Sequence, residues 1–276
     1  MNSTDDDYEI RRTIWESRIP VEFNLDSSQP ILRSQQSTFI MLPRISYFPF
    51  YLEEILQTLT GNSLTELDLS NVWLLHNARH YPIGVLYDMY KGTEQNLPWV
   101  VTIRLKDFPD ELVRCLSKDS LKFIFIQSLK EASQIKHKRN IVSTMTKEEH
   151  IKIFDSIKND KFDEFWTINK KLMGGISDSV DTQMNNVPFR FYFPSFPFRL
   201  LLFPLKKDDS SNSTAILTDA LEKAFPEHCP FDQQNFEIIS HGIELPLATS
   251  IGWIARNLSY PDNFVHVVVR PKRPTF

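Results

Sequence analysis

Few residues in this 276-residue chain are spaced for catalysis. His76 and His80 stand four apart, the spacing at which two imidazoles share a helix face and can hold a metal. No third ligand is near and Pro82 follows at once, which favours an ordinary pair of histidines. Cys115 lies in Arg-Cys-Leu-Ser-Lys ahead of a helical stretch, where a helix N-terminus lowers a thiol pKa. Cys229 lies between His228 and Pro230. Neither has a recognisable histidine or asparagine arrangement, so both read as packed or idle thiols. Gly-x-Gly-x-x-Gly, P-loop, Gly-x-Ser-x-Gly and His-Glu-x-x-His patterns are absent. The expectation is a non-catalytic protein with no cofactor and no metal.

One lysine is better placed than the rest. Ser117–Lys136 has helical periodicity. With Leu121 at zero and about 100° per residue, Leu121, Ile124, Phe125, Ser128, Ala132 and Ile135 form a stripe roughly 100° wide, as a core-facing helix should. Lys130 falls about 180° from Leu121, which predicts an exposed amine available to react. Most exposed lysines do nothing special. Here Phe123 and Ile126 share the outward side at i−7 and i−4, and apolar residues on such a face predict a second packing surface. Lys136, His137, Lys138 and Arg139 are expected to extend positive charge beyond the helix.

The elements around that helix fall into three groups. Residues 5–16 read as a helix. Arg18–Leu25 alternates Ile19, Val21, Phe23 and Leu25 as a half-buried strand. Residues 26–36 form a loop, Ser37–Tyr47 a strand with Pro43 at its edge, Leu52–Leu59 a helix, and Leu64–Leu75 a strand. His80–Tyr90 is a short helix and Pro98–Phe108 a strand. The last third repeats this order: strands at Pro188–Phe193 and Phe198–Leu205, a helix at Ile216–Phe225, a strand at Phe236–Ile243, a short helix at Ser250–Leu258 and a strand at Phe264–Arg270. This is a repeat of architecture with little repeat of sequence. Its order matches the β-grasp fold of ubiquitin. The middle third is helical over Ser117–Lys136 and Thr146–Met173, with a capping box at Thr146/Glu149 and a break at Asn159-Asp160. Loops are expected at 174–186 and 206–215.

The fold class is therefore α+β: two ubiquitin-like β-grasp domains flanking a helix-rich domain. The expected bounds are an N-terminal helix at 1–16, a first ubiquitin-like domain at 17–110, a helix-rich domain at 111–175, a linker at 176–186 and a second ubiquitin-like domain at 187–276.

Composition narrows the function. Hydrophobic residues make up 41% and charged residues 24%, which suits a packed globular chain. The net charge of −4 argues against nucleic acid as a partner. Residues 117–171 nevertheless hold 12 Lys+Arg against 8 Asp+Glu, a basic middle between acidic flanks that permits peripheral membrane contact. Two cysteines imply no disulfide framework and fit a reducing, cytoplasmic setting. No apolar run is long enough to span a bilayer, and Met-Asn-Ser-Thr-Asp-Asp-Asp-Tyr reads as no targeting peptide. Ubiquitin-like modifiers end in Gly-Gly. The only Gly-Gly here is internal, at Gly174-Gly175, which predicts an acceptor or scaffold and not a donor.

Eight segments, in order, resemble the autophagy protein 5 family over almost the whole chain. They are Trp15-Glu-Ser-Arg18-Ile-Pro20, Leu42-Pro-Arg44-Ile-Ser46-Tyr47, His80-Tyr-Pro-Ile-Gly84, Cys115-Leu-Ser-Lys-Asp119, Leu129-Lys130-Glu-Ala132 with Lys136-His-Lys138, Asn159-Asp-Lys-Phe-Asp163 running through Phe165-Trp166 to Asn169-Lys-Lys-Leu-Met173, His241-Gly-Ile243, and Leu258-Ser-Tyr-Pro-Asp-Asn-Phe264. The animal form is nearer than the fungal one. The resemblance implies that Lys130 accepts an isopeptide bond from the C-terminal glycine of the ubiquitin-like autophagy protein 12. It implies that the conjugate binds the N-terminal helix of autophagy protein 16 in a groove shared by three domains. It also implies that this assembly works with the conjugating enzymes of the pathway, as a ubiquitin ligase would, to promote lipidation of autophagy protein 8 family members. The setting would be the cytoplasm, with recruitment to the pre-autophagosomal membrane. Phe123 and Ile126 are the candidate surface on which the modifier packs. The rival reading is a FERM-like membrane–cytoskeleton adaptor, which would need a seven-stranded lobe closed by a long helix in the last third.

Overall fold

The computed structural model describes residues 3–26, 37–61, 72–74, 81–91, 96–109, 118–173, 184–193, 197–208 and 211–272. His76, His80, Cys115 and Gly174-Gly175 lie outside them, as do most of the loop expected at 26–36 and most of the strand expected at Leu64–Leu75.

The first unit holds strands β1 (Arg18–Leu25), β2 (Ser37–Pro43), β3 (Trp73–Leu74) and β4 (Trp99–Arg104) in the order β2-β1-β4-β3, with helices α2 (Leu52–Thr60) and α3 (Ile83–Tyr90). β1 and β2 are antiparallel and β1 and β4 parallel. This is the hairpin-plus-crossover pattern of a β-grasp sheet. Ile19, Val21 and Phe23 of β1 point to one face, where Ile55, Leu56 and Leu59 of α2 close the core. β2 stops at Pro43, four residues earlier than expected. A turn then swings Arg44–Tyr47 away from the sheet.

The helical unit contains α4 (Lys118–His137), α5 (Lys147–Lys158) and α6 (Phe162–Met173). Thr146 caps α5 in the expected box: Thr146 Oγ1 accepts from the Glu149 N–H at 3.1 Å, and Glu149 Oε2 accepts from the Thr146 N–H at 2.9 Å. The break between α5 and α6 falls at residues 159–161, with Asp160 at a φ of 56°. The N-terminal helix α1 (Ser3–Glu16) packs Tyr8 and Trp15 into this unit and sends Ile14 to the core of the second unit.

That second unit holds β5 (Asn186–Tyr192), β6 (Arg199–Pro204), a small hairpin of β7 (Lys206–Asp208) and β8 (Ser211–Thr214), α7 (Leu217–Ala224), β9 (Phe236–Ser240), β10 (Ile243–Glu244), α8 (Ile251–Asn257) and β11 (Val265–Pro271). The segment expected as a loop at 206–215 thus pairs with itself. The main sheet runs β10-β9-β11-β5-β6, again with an antiparallel first hairpin and a parallel central pair. Among the described residues, a five-stranded sheet, a separate two-stranded hairpin and two short helices do not make the seven-stranded lobe closed by a long helix that the rival reading needs. Among the described residues no helix is long and apolar enough to cross a membrane.

Candidate functional site

Lys130 lies in the second half of α4, and the buried face of that helix sets where it points. The residues of α4 in the helical core are Leu121, Phe125 and Leu129, with Ala132 and Lys136 also buried. At about 100° per residue the centre of this stripe lies near 40° from Leu121, rotated from the expected one. Ile124, Ser128 and Ile135 are therefore only half-buried. Lys130 is about 140° from the centre of the stripe, still outward but on its shoulder. It is half-buried, where full exposure was expected. Its amine has no hydrogen bond or ion pair among the described residues. Phe123 is 66% exposed, whereas Ile126 is half-buried against the helical core. The two predicted packing residues thus have different surroundings.

Glu131 is turned from Lys130 to the second unit. Its carboxylate accepts from Arg190 Nη2 at 3.2 Å, and Ser128 Oγ accepts from the same nitrogen at 3.3 Å. Arg190 Nη1 donates to Asp262 at 3.0 Å, and the guanidinium lies 3.7 Å from the Phe264 ring centroid. Burial alone would raise the Asp262 carboxyl, but His266, Arg190 and the Phe264 N–H hold it below the usual carboxylate range. Burial lowers His266, against the pull of Asp262 beside it. The ring donates from Nε2 to Asp262 at 3.0 Å and accepts at Nδ1 from the Tyr192 hydroxyl at 2.8 Å. The helix that carries Lys130 is thus fixed by a hydrogen-bonded chain running into the sheet of the second unit.

Lys136 and His137 are the largest departure from expectation. They were expected as exposed positive charge, and both are buried. Lys136 Nζ donates to Asn263 Oδ1 at 2.8 Å and lies 3.3 Å from Met173 Sδ. Asn263 Nδ2 donates on to Asn169 Oδ1 at 2.6 Å. Burial pulls the Lys136 amine down to about 7, against the attraction of Asp262. His137 Nε2 donates to the Leu172 carbonyl at 3.0 Å.

A second junction joins the two ubiquitin-like units. Arg44, after β2, pairs with the buried carboxylate of Asp88 on α3. Asp88 also accepts from the Gly242 N–H at 3.0 Å. Gly242 has a φ of 77°, and a Cβ there would sit 2.9 Å from the Arg44 guanidinium, so glycine is required twice over. Gly84 donates to the Arg44 carbonyl at 2.7 Å, and a Cβ there would meet that oxygen at 2.9 Å. Tyr260 stacks on His241 at 3.9 Å and joins Val85, Tyr192, Ile239 and Val268 in a buried cluster between α3 and the second sheet. Trp15 and Arg18 both reach Asp160, tying the first unit to the turn between α5 and α6.

The segments that carried the family resemblance thus meet in pairs at the borders between units. Trp15–Pro20 meets Asn159–Asp163, Leu42–Tyr47 meets Ile83-Gly84 and His241–Ile243, and Leu258–Phe264 meets Lys136 and Asn169–Met173.

An exposed apolar row lies beside all three units. Phe198, Leu200 and Leu202 line the edge at β6. The Phe198 ring is 6.3 Å from Tyr81 of the first unit and 6.0 Å from Arg190, which holds α4.

The chain matches three family models: "Autophagy protein ATG5, UblA domain" over residues 14–105, "alpha-helical bundle region" over 118–175 and "UblB domain" over 186–269. It is 32% identical to Autophagy protein 5 of Drosophila melanogaster over 270 residues, covering 95% of this chain and 97% of that one. It is 33% identical to Autophagy-related protein 5 of Caenorhabditis elegans over 279 residues, covering 95% and 98%. Autophagy protein 5 of Aspergillus clavatus is 25% identical over 315 residues. Among solved structures, that of Kluyveromyces marxianus Atg5 superposes with a TM-score of 0.78 at 18% identity, over 95% of this chain and 99% of that one, which speaks to the fold.

Proposed function

The chain belongs to the autophagy protein 5 family, an autophagy protein with two ubiquitin-like domains around a helical bundle, and from that premise we propose that it is a non-catalytic acceptor scaffold whose Lys130 takes autophagy protein 12 in an isopeptide bond. The observation that carries this reading is an outward-pointing amine, unpaired among the described residues, on a helix braced by Arg190 and by Asn263. Conjugation forms the C–N bond between Lys130 Nζ and the donor's terminal glycine carbonyl as the C–S bond of the enzyme thioester breaks. The thiolate leaves, and a base takes the proton of the amine. Glu131, the nearest carboxylate in sequence, is engaged by Arg190. The base therefore comes from the conjugating enzyme.

The bracing on α4 supports a scaffold role. A modifier attached to a rigid helix has fewer orientations to lose when it recruits the next conjugating enzyme. Phe123 is the exposed apolar residue about two turns from Lys130 on which the attached modifier would pack, with Ile126 at its margin. The exposed apolar row of Phe198, Leu200 and Leu202 beside Tyr81 has the right character for the N-terminal helix of autophagy protein 16, since an amphipathic helix docks its apolar face on such a surface. The assembled conjugate would then promote lipidation of autophagy protein 8 family members at the pre-autophagosomal membrane, from a cytoplasmic pool.

Lys130→Arg keeps the charge and most of the stem but removes the nucleophile. The expected result on a denaturing gel of cells is loss of the species heavier by one small ubiquitin-like protein, with the thermal melting of the purified chain unchanged. A heavier species of normal amount from Lys130→Arg would overturn the assignment.

A further inference from the structure

The two ubiquitin-like units can be overlaid strand for strand from their ladders. In the first, Glu22 stands opposite Phe39 and Val100, and Pro20 opposite Met41. In the second, Arg190 stands opposite Leu200 and His266, and Pro188 opposite Leu202. Glu22 thus holds the place of Arg190, Phe39 that of Leu200, Met41 that of Leu202 and Val100 that of His266. Residues two apart on a strand share a face, so all of these lie on the side turned away from each unit's own core.

In the second unit the part of that face over β5, β9 and β11 is occupied by helices from elsewhere in the chain, while Leu200 and Leu202 of β6 stay exposed. α4 brings Ser128 and Glu131 to Arg190, and α3 brings Val85 against Tyr192, Ile239 and Val268. In the first unit the same face is open among the described residues. Phe39 is 65% exposed, Met41 59% and Val100 51%. Ion pairs close its two ends, Arg18 with Asp160 and Arg104 with Asp26. Glu22 sits between them with no ion pair or hydrogen bond of its own among the described residues.

We infer that the outer face of β1, β2 and β4 docks an α-helix of a partner protein, one with an apolar stripe and a lysine or arginine facing Glu22. The helical form follows from the repeat, because β5 and β11, the counterparts of β1 and β4 in the same register, already carry helices in the second unit. The charge follows from the swap. There a guanidinium on the sheet meets a carboxylate on the helix. Here the carboxylate is on the sheet, so the helix must bring the cation. A second copy of this chain offering α4 would set Glu131 against Glu22, and an anionic lipid surface meets the same carboxylate, so both are disfavoured. This face is separate from the row of Phe198, Leu200 and Leu202 and from Lys130.

The test is selection from a displayed library of helical peptides of about 20 residues, with a fixed leucine stripe and randomised polar positions, against the full chain. Peptides that compete with one another are then measured on Phe39→Ser/Val100→Ser and on Glu22→Arg. These substitutions are at the surface, so melting temperatures should match the parent. The expected set is enriched in lysine and arginine, binds the double variant at least about tenfold more weakly, and gives way to acidic peptides when the selection is repeated on Glu22→Arg. Recovery of no helix sensitive to Phe39 and Val100 would overturn the inference, as would a set whose charge preference ignores Glu22→Arg. So would Phe39-dependent self-association or Phe39-dependent binding to phosphatidylserine vesicles.

Discussion

In the second ubiquitin-like unit, Val265 to Val269 of β11 are buried without interruption, because helices cover both faces of the sheet. In the first unit the corresponding β4 alternates, with Trp99, Val101 and Ile103 buried and Val100 exposed. The same fold is therefore used in two ways. The second unit is the hub, its outer face over β5, β9 and β11 covered by α3 of the first unit and α4 of the helical unit. The first unit spends only a helix on the junction and keeps a sheet face free. A ubiquitin-like fold has two faces to its sheet, and which one is covered decides whether it acts as structure or as a binding module.

Substitutions at paired positions test that contrast. Val268 and Thr102 occupy equivalent sites, opposite Tyr192 and Asn24. Val268→Asp places an unpaired charge in the buried cluster and should destabilise by about 4 kcal/mol or more, whereas Thr102→Asp should change stability by under about 1 kcal/mol. Urea unfolding of both variants measures the difference, and similar losses would erase the hub distinction. Next in size is Arg44→Met. It strands the Asp88 carboxylate, which burial already pushes up against the pull of Arg44, and should cost about 3 kcal/mol or more. Because Asp88 also holds Gly242, the loss should appear as earlier separation of the two units, read by hydrogen exchange at the Gly242 amide.

A smaller, pH-dependent effect belongs to Lys136. The buried amine holds its proton less tightly than the unfolded chain does, near 7 against an ordinary 10.5. Between those values the unfolded state binds more protons, so stability rises as the pH climbs from about 7 towards 10.5 and the increment is lost as the pH falls through 7. Lys136→Met has no such increment. The melting temperature of the parent relative to Lys136→Met should therefore increase from pH 7 to pH 9. A constant difference would show that Lys136 stays charged in the native chain.

Most elements of both β-grasp units were legible in the sequence, since period-two and helical runs are local signals. The junctions were not. Lys136 reads as a surface cation because its partner Asn263 lies 127 residues on, and only the fold brings them together. The phase of α4 was misjudged for the same reason. A stripe fitted to apolar residues takes in Ile124 and Ile135, which are only half-buried, and passes over Lys136, which the core accepts because Asn263 satisfies it. At Lys130 the helix and the outward direction were legible. The turn of Glu131 to Arg190 depends on a strand 59 residues away and was not.

The attachment point itself is open to direct measurement. The native conjugate, isolated from cells and digested with trypsin, can be sequenced by mass spectrometry for a branched peptide. The account predicts the C-terminal glycine remnant of autophagy protein 12 on Lys130 Nζ and on no other lysine of this chain; a remnant on a different lysine, with Lys130 recovered unmodified from the same conjugate, would contradict it.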